Sequence, residues 1–367
     1  MKILMVTNEY PPSVGGVQTH VYELSKALVG LGHRVCVATR LKNSSLPLSQ
    51  IVHGVNVFRF KLAKSHLVYD WQLKRELQRL VNRFEIDVIH VHGMRPLNAA
   101  KACQTPVVFT NHTSSFLKRS RGKPAILRKM GKQLNGIEKV LAPSQVLVEQ
   151  TQAMGYSGPV LFVPNGVDTV KFSPGISRMR QKLDIPDRAF VLLMSGRLHA
   201  VKGVVDLAKA VSLIDNPELH VVIVGEGPEG AKFETIARDV SCVPKIHLLG
   251  SFDNAAMPEV YRGADALALP SRMEATSIAG LEAMASGLPI IGSRVGGIPV
   301  LVQEGQNGLL VEPGSPAQLA RAIEVLITDR KRAQEMGQES LKIARSRFSW
   351  DRVARQTVAH YPQSTCE

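Results

Sequence analysis

Two apolar rhythms alternate along this chain of 367 residues. Short, nearly unbroken apolar runs at 3–7, 34–39, 55–60, 87–92, 106–110, 139–142 and 160–163 read as buried strands. Between them, Val17, Val21, Leu24, Leu28 and Leu31 recur at helical spacing, and 69–84, 124–138 and 145–154 also read as helices. The rhythm resumes after Pro174-Gly175, with strands expected at 190–194, 219–224, 246–249 and 264–269. Helices are expected after Gly203, at 278–285, across 316–347 and from 349 to about 361. Strands and helices alternating at this pitch predict an α/β chain, its parallel sheets covered on both faces. Ligands then gather at the carboxyl ends of the strands.

A chain of this length is comfortable as two domains, each able to bury a core. The boundary falls near Pro164-Asn-Gly-Val-Asp168, giving domains at 1–168 and 169–348. Charge sharpens the division: of a net +14, all belongs to the first half. Residues 1–165 hold 22 Lys/Arg against 8 Asp/Glu, whereas residues 166–367 hold 23 of each. The N-terminal half therefore faces something anionic. Cys36, Cys103, Cys242 and Cys366 are scattered with no C-x-x-C pair, which argues against structural zinc and for a reducing, cytoplasmic setting. Met1-Lys2 leads straight into a strand and no apolar run reaches membrane-spanning length, so neither signal peptide nor span is expected.

Candidate chemistry concentrates at 269–287. An apolar strand ends at Pro270, a polar loop holds Glu274, and a short helix over 278–285 carries Glu282. The amides of Thr276, Ser277 and Ile278 lie at that helix's N-terminus, where an anion is received. An anion cradle between two carboxylates suits a phosphorylated polyol, with phosphate on the amides and hydroxyls on the acids. Spacing alone reads equally well as a cap and a solvated helix acid. Upstream, Ser195-Gly196-Arg197-Leu198 and Lys202-Gly203 put a guanidinium fork and a point charge before a helix, able to neutralise a diphosphate. Gly15-Gly16 between the first strand and first helix lets backbone approach a phosphate, or simply makes a tight turn. Gly225-Glu-Gly-Pro-Glu-Gly230 spells G-x-G-x-x-G, but Glu226 and Glu229 would repel a pyrophosphate and Pro228 stiffens the turn, so a dinucleotide site is rejected. His90 and His92 share one strand face, yet no neighbouring Asp, Glu or Cys completes a ligand set, and no metal is expected. No acid occurs between Asp87 and Glu138, while Lys118, Arg119, Arg121, Lys123, Arg128, Lys129 and Lys132 crowd that interval. With Ile126, Leu127, Met130, Leu134 and Ile137 near one helix face, this reads as a basic amphipathic helix for an anionic membrane surface. Nucleic acid is not expected, because stacking aromatics and nucleic-acid motifs are lacking.

The 269–287 stretch resembles the E-x7-E motif of retaining GT-B glycosyltransferases, family 4 in particular. It matches at Glu274, Glu282, Glu-Ala-Met-Ala (282–285), Gly287 and Pro289. Ala275-Thr276-Ser277 replaces the commoner Gly-Phe-Gly, which leaves the donor sugar open. Residues 195–203 resemble the family's G-R-L-x-x-x-K-G motif, and Thr110-Asn-His112-Thr113 its histidine loop. The resemblance implies two Rossmann-like, doubly wound domains facing across a cleft, with the last helix (349–367) crossing back to the first domain. It implies transfer of a hexose-type sugar, with retention, from a nucleotide diphosphate sugar (UDP favoured, GDP next). The acceptor would be a glycan, lipid-linked or phosphorylated, as in cell-envelope polysaccharide or glycolipid synthesis. Catalysis falls to His112, Arg197, Lys202 and Glu274. Donor binding falls to Gly15, Gly16, Gly196, Thr276, Ser277, Ile278 and Glu282 beside Arg197, Lys202 and Glu274. No cofactor is implied, and the inner face of the cytoplasmic membrane is the expected docking surface. Rivals are a sugar-nucleotide epimerase on the same fold, a nicotinamide-dependent oxidoreductase and a non-catalytic nucleotide binder.

Overall fold

The computed structural model describes residues 1–13, 15–112, 124–239 and 244–362. The chain divides into two compact units, Met1–Gly166 with Trp350–Glu367, and Val167–Ser349. Lys118, Arg119, Arg121 and Lys123 of the basic stretch lie outside the described residues, as do Cys242 and Cys366.

Among the described residues the first unit is built on eight strands: β1 (Lys2–Thr7), β2 (Arg34–Arg40), β3 (Ser49–Val52), β4 (Val55–Phe60), β5 (Val88–His92), β6 (Val107–Thr110), β7 (Lys139–Ala142) and β8 (Val160–Phe162). Their order is β3-β4-β2-β1-β5-β6-β7-β8, parallel except for the β3–β4 pair. Strand residues point alternately to the two faces, and both faces are covered. On one side Ile3 and Met5 of β1 join Val21, Leu24 and Leu28 of helix Gly16–Gly30 and Val353 of helix Trp350–Ala359. On the other, Leu4 and Val6 join Tyr69, Leu73 and Leu77 of helix His66–Phe84. Each such buried aliphatic or aromatic side chain contributes about 1.5–3 kcal/mol over exposure. That is why unbroken apolar runs here mean strands in a covered sheet.

Among the described residues the second unit holds six parallel strands: β9 (Phe190–Ser195), β10 (Leu219–Val224), β11 (Lys245–Leu248), β12 (Ala266–Leu269), β13 (Ile290–Ser293) and β14 (Gly308–Val311). Their order is β11-β10-β9-β12-β13-β14. In each sheet the winding reverses once, between β1 and β5 in the first and between β9 and β12 in the second. At such reversals the crossover helices leave to opposite faces, and a crevice opens at the strands' carboxyl ends.

Several expectations are corrected. The helix predicted over 124–138 is Pro124–Leu134, stopping before Gly136, which adopts a left-handed φ of 81°. Its apolar side is not available to a membrane. Met130 packs with Met154, and Leu134 and Ile137 lie in the core under the sheet, leaving Ile126 alone exposed. Arg128, Lys129 and Lys132 are exposed, so a charged surface survives while an inserting face does not. The last helix ends at Ala359, not near 361. The antiparallel edge strand β3 and strands β13 and β14 were not predicted: β3 is an exposed edge strand, and Gly292 and Gly308 interrupt the apolar runs of the other two. Among the described residues, no helix is long and apolar enough to cross a membrane.

Candidate functional site

In the second unit the predicted residues come from the two strands that flank the sheet's reversal. β9 runs out into Gly196 and Arg197, and Lys202 follows in the turn Ala200–Lys202. β12 runs out into the loop carrying Glu274, Thr276 and Ser277, which feeds helix Ile278–Ala285. Lys202 Nζ and a Glu274 carboxylate oxygen form an ion pair, with Glu274's side chain only 9% exposed. The Arg197 side chain is exposed and makes no hydrogen bond or ion pair among the described residues. Thus one cation is held by an acid, and a second reaches into solvent beside it in the chain.

The Glu274 loop is pinned from three sides. Arg272 grips the buried Asp206 with two bonds of 2.7 Å, Nε to Oδ2 and Nη2 to Oδ1. This fork raises the Arg272 pKa, chiefly through the hydrogen bonds to Asp206. The Arg272 amide donates to the Val201 carbonyl at 2.8 Å, tying the loop to the Lys202 turn. On the far side the Gly297 amide donates to the Glu274 carbonyl at 3.0 Å. Gly296, at φ 58°, lies so close that a Cβ there would meet the Glu274 oxygen at 1.6 Å. No other residue fits.

Ser277 is the N-cap of helix Ile278–Ala285; its hydroxyl accepts from the Gly280 amide at 3.1 Å. The amides of Ile278 and the following Ala279 open the helix, where no intrahelical acceptor exists. Thr276 and Ile278 are half-buried and Ser277 is buried, so the predicted amide cradle has a capped, fixed helix end behind it. Glu282 sits one turn inside, 8% exposed. One of its oxygens accepts from Tyr261 Oη at 2.9 Å, and Tyr261 Oη lies 2.9 Å from Ser195 Oγ. Burial raises the Glu282 carboxyl to about 7, while the Tyr261 hydroxyl, Lys171 and Asn254 pull it back. Burial likewise pushes the Tyr261 hydroxyl well above the phenol range. Tyr261 was not singled out from sequence. Its only signal was a tyrosine inside an otherwise ordinary short helix, Met257–Arg262.

The glycine string 225–230 has a structural use. A Cβ on Gly225 would meet the Gly196 carbonyl oxygen at 1.8 Å, and the Leu198 amide donates to the Glu226 carbonyl at 2.9 Å. These glycines let one loop lie against the backbone of residues 196–198, holding Arg197's turn in place.

In the first unit the corresponding strand ends carry imidazoles. Gly15 and Gly16 open the helix Gly16–Gly30, with Gly16 exposed. His92 ends β5, and His112 follows β6, where Asn111 anchors the loop. The Asn111 amide donates to Leu141 at 2.8 Å, and its side chain donates to Thr151 Oγ1 at 3.1 Å. His92 Nδ1 and His112 Nε2 are 2.9 Å apart. A third ring, His20 of helix Gly16–Gly30, meets His112 edge-on at 4.4 Å between centroids, and its Nδ1 lies 2.9 Å from Asn165 Oδ1. His90 is engaged elsewhere, with Nδ1 2.8 Å from Tyr361 Oη and Nε2 2.6 Å from Thr110 Oγ1. Burial, first, and neighbouring imidazoles, second, hold His92 and His112 well below the usual histidine range. His20 falls to about 4 through burial. His20 was missed from sequence, although a histidine four residues before Leu24 on a buried helix stripe was a readable signal.

Residues 14–171 match the sequence profile of Glycosyltransferase Family 4, and residues 175–342 that of Glycosyl transferases group 1. D-inositol 3-phosphate glycosyltransferase of Actinosynnema mirum is 29% identical over 95% of this chain and 92% of its own. Glycogen synthase of Mycobacterium tuberculosis is 28% identical over 98% of this chain and 94% of its own. The fold superposes on that of Anabaena HepE in complex with UDP with a TM-score of 0.80, at 22% identity, over 98% of this chain and 99% of that one.

Proposed function

We propose that this chain, a member of the group 1, family 4 glycosyltransferases, moves a hexose-type sugar from a nucleotide diphosphate sugar to a hydroxylated acceptor with retention at the anomeric carbon. The observation that carries the reading is the meeting of Lys202 with Glu274, beside Arg197, at the ends of neighbouring strands β9 and β12. A diphosphate arriving there competes with Glu274 for the Lys202 ammonium and gains the Arg197 fork. As the bond from anomeric carbon to phosphate oxygen breaks, negative charge grows on the leaving diphosphate. Fixed cations then stabilise the transition state more than the ground state.

Glu274, its cation drawn off, is free to accept from sugar hydroxyls, and the amides from Thr276 to Ile278 take phosphate oxygens. Glu282 is read as the acceptor for the ribose diol. His112, neutral by burial, is suited to accept a hydrogen bond from the sugar rather than repel developing positive charge at the anomeric carbon. Gly15 and Gly16 admit backbone to the phosphate. UDP is favoured as the donor base, in keeping with the UDP bound to Anabaena HepE, with GDP next. The acceptor is read as a glycan or a phosphorylated or lipid-linked sugar, in keeping with inositol phosphate and glycogen in the names of relatives. No metal is required on the diphosphate, because Arg197 and Lys202 supply the positive charge. The exposed cations Arg128, Lys129 and Lys132 offer an anionic acceptor or lipid a landing surface.

Thermal denaturation with UDP, GDP, ADP and NAD, then with the matching nucleotide sugars, tests the reading. One nucleoside diphosphate is expected to raise Tm, and Lys202→Ala to erase that rise. A rise with NAD alone, or with none of them, overturns it.

A further inference from the structure

We propose that His20, His92 and His112 form a binding site for a divalent transition-metal ion of the zinc class. One ligand nitrogen from each ring lies within 4.8 Å of the others. A tetrahedral ion with bonds of about 2.0–2.1 Å places its ligand nitrogens roughly 3.3 Å apart. The 2.9 Å between His92 Nδ1 and His112 Nε2 is already near that spacing. The three rings come from three separately anchored places: the first turns of helix Gly16–Gly30, the last residue of β5, and the loop after β6. Such anchoring leaves little chain entropy to lose when an ion is captured.

The surroundings suit ligation. Asn165 Oδ1 can only accept, so His20 Nδ1 carries the hydrogen and His20 Nε2 is left with its lone pair. A ligating histidine held through its other nitrogen by an oxygen acceptor is the common second-layer arrangement of zinc sites. Trp350 packs edge-on against His20 at 5.2 Å and fixes the ring's plane. When an ion enters, the shared His92–His112 hydrogen moves to the far nitrogen of its own ring, and no net proton is released.

An all-nitrogen set selects zinc, cobalt, nickel or copper over magnesium and calcium, which demand oxygen ligands. His20 and His92 are buried and His112 is half-buried, so the fourth position opens on the His112 side to water or an anion, and an ion held there excludes the sugar contact proposed for His112. The site was invisible in sequence because His20 is seventy-two positions from His92; only the sheet order brings them together.

The test uses the full chain with no nucleotide sugar present, so its outcome is separate from that of the transferase reading. Co²⁺ is titrated and its visible absorption followed, with bound Zn²⁺ counted after dialysis. One ion per chain is expected, with the absorption of four-coordinate Co²⁺. His112→Ala, at a half-buried and therefore tolerant position, should weaken binding at least tenfold while retaining the wild-type melting temperature in chelator. Asn165→Ala should weaken it less. The other close pair, His220 and His247, 3.0 Å apart, serves as control. No Co²⁺ band in the wild type, a band unchanged in His112→Ala, or a band lost in His220→Gln/His247→Gln overturns the proposal.

Discussion

Around β9 and β12, cations meet acids: Lys202 on Glu274, and Arg272 on Asp206. At the matching strand ends of the first unit, His20, His92 and His112 lean on one another and on the Asn165 carboxamide. Both regions lie where a parallel sheet reverses, so topology gives each the same kind of crevice. What differs is the charge that the sequence delivers there. Fixed full charges suit a ligand that is itself ionic and whose charge grows during reaction. Buried neutral rings suit a ligand that is uncharged or a cation that seeks lone pairs. A likeness of fold between two units therefore says nothing of a likeness of chemistry; the side chains at the strand ends decide it.

The sharpest break in this comparison is Lys202→Ala. Removing a fixed cation from a developing oxyanion costs about 10²–10³ in rate, so kcat with the nucleotide sugar should fall by that order. His112→Ala, on the neutral side, should lower kcat by about 10²-fold yet leave the Kd for the nucleoside diphosphate unchanged. Equal loss of nucleotide affinity in both variants would erase the distinction between the regions.

Glu282 offers a test of burial against charge. Its carboxyl is raised from 4.5 to about 7, so the neutral form is favoured by folding. Its stabilising share is fully present below 4.5 and is lost as pH rises through 7. A shift of this size is on the order of 3 kcal/mol. Urea unfolding at pH 5 and pH 8 should show wild-type stability falling, with the fall reduced in Glu282→Gln. An identical pH slope in that variant would remove Glu282 from the account.

Arg272→Ala leaves the buried Asp206 without its fork and should cost about 1–3 kcal/mol in the same unfolding assay, weakening Lys202's partner loop as well. Least in stability, within about 0.5 kcal/mol, should be Arg128→Glu with Lys129→Glu and Lys132→Glu. Their readout is sedimentation with anionic liposomes, which the charge reversal should abolish. Unchanged sedimentation would leave those cations as a solvated face.

Much of this molecule was legible along the chain. The strand at 219–224 and the helix at 278–285 match the observed bounds, because a covered strand and a capped helix are both written in local patterns. The placement of Arg197, Lys202 and Glu274 beyond strand ends, and of Glu282 inside the helix that follows, also followed from strand–loop–helix order. β13 and β14 escaped, because Gly292 and Gly308 dilute their apolar runs.

The sequence by itself thus determined the kind of sheet, the residues at its loops and the chemical family of the C-terminal motifs. Those depend on neighbours a few positions apart, where periodicity and capping operate. Only the tertiary structure decided that Gly296 locks the Glu274 carbonyl, that Tyr261 claims one oxygen of Glu282, and that His20 joins His92 and His112. Each joins residues from separate elements. Burial there sets protonation, and burial is a property of the packed chain rather than of any stretch within it.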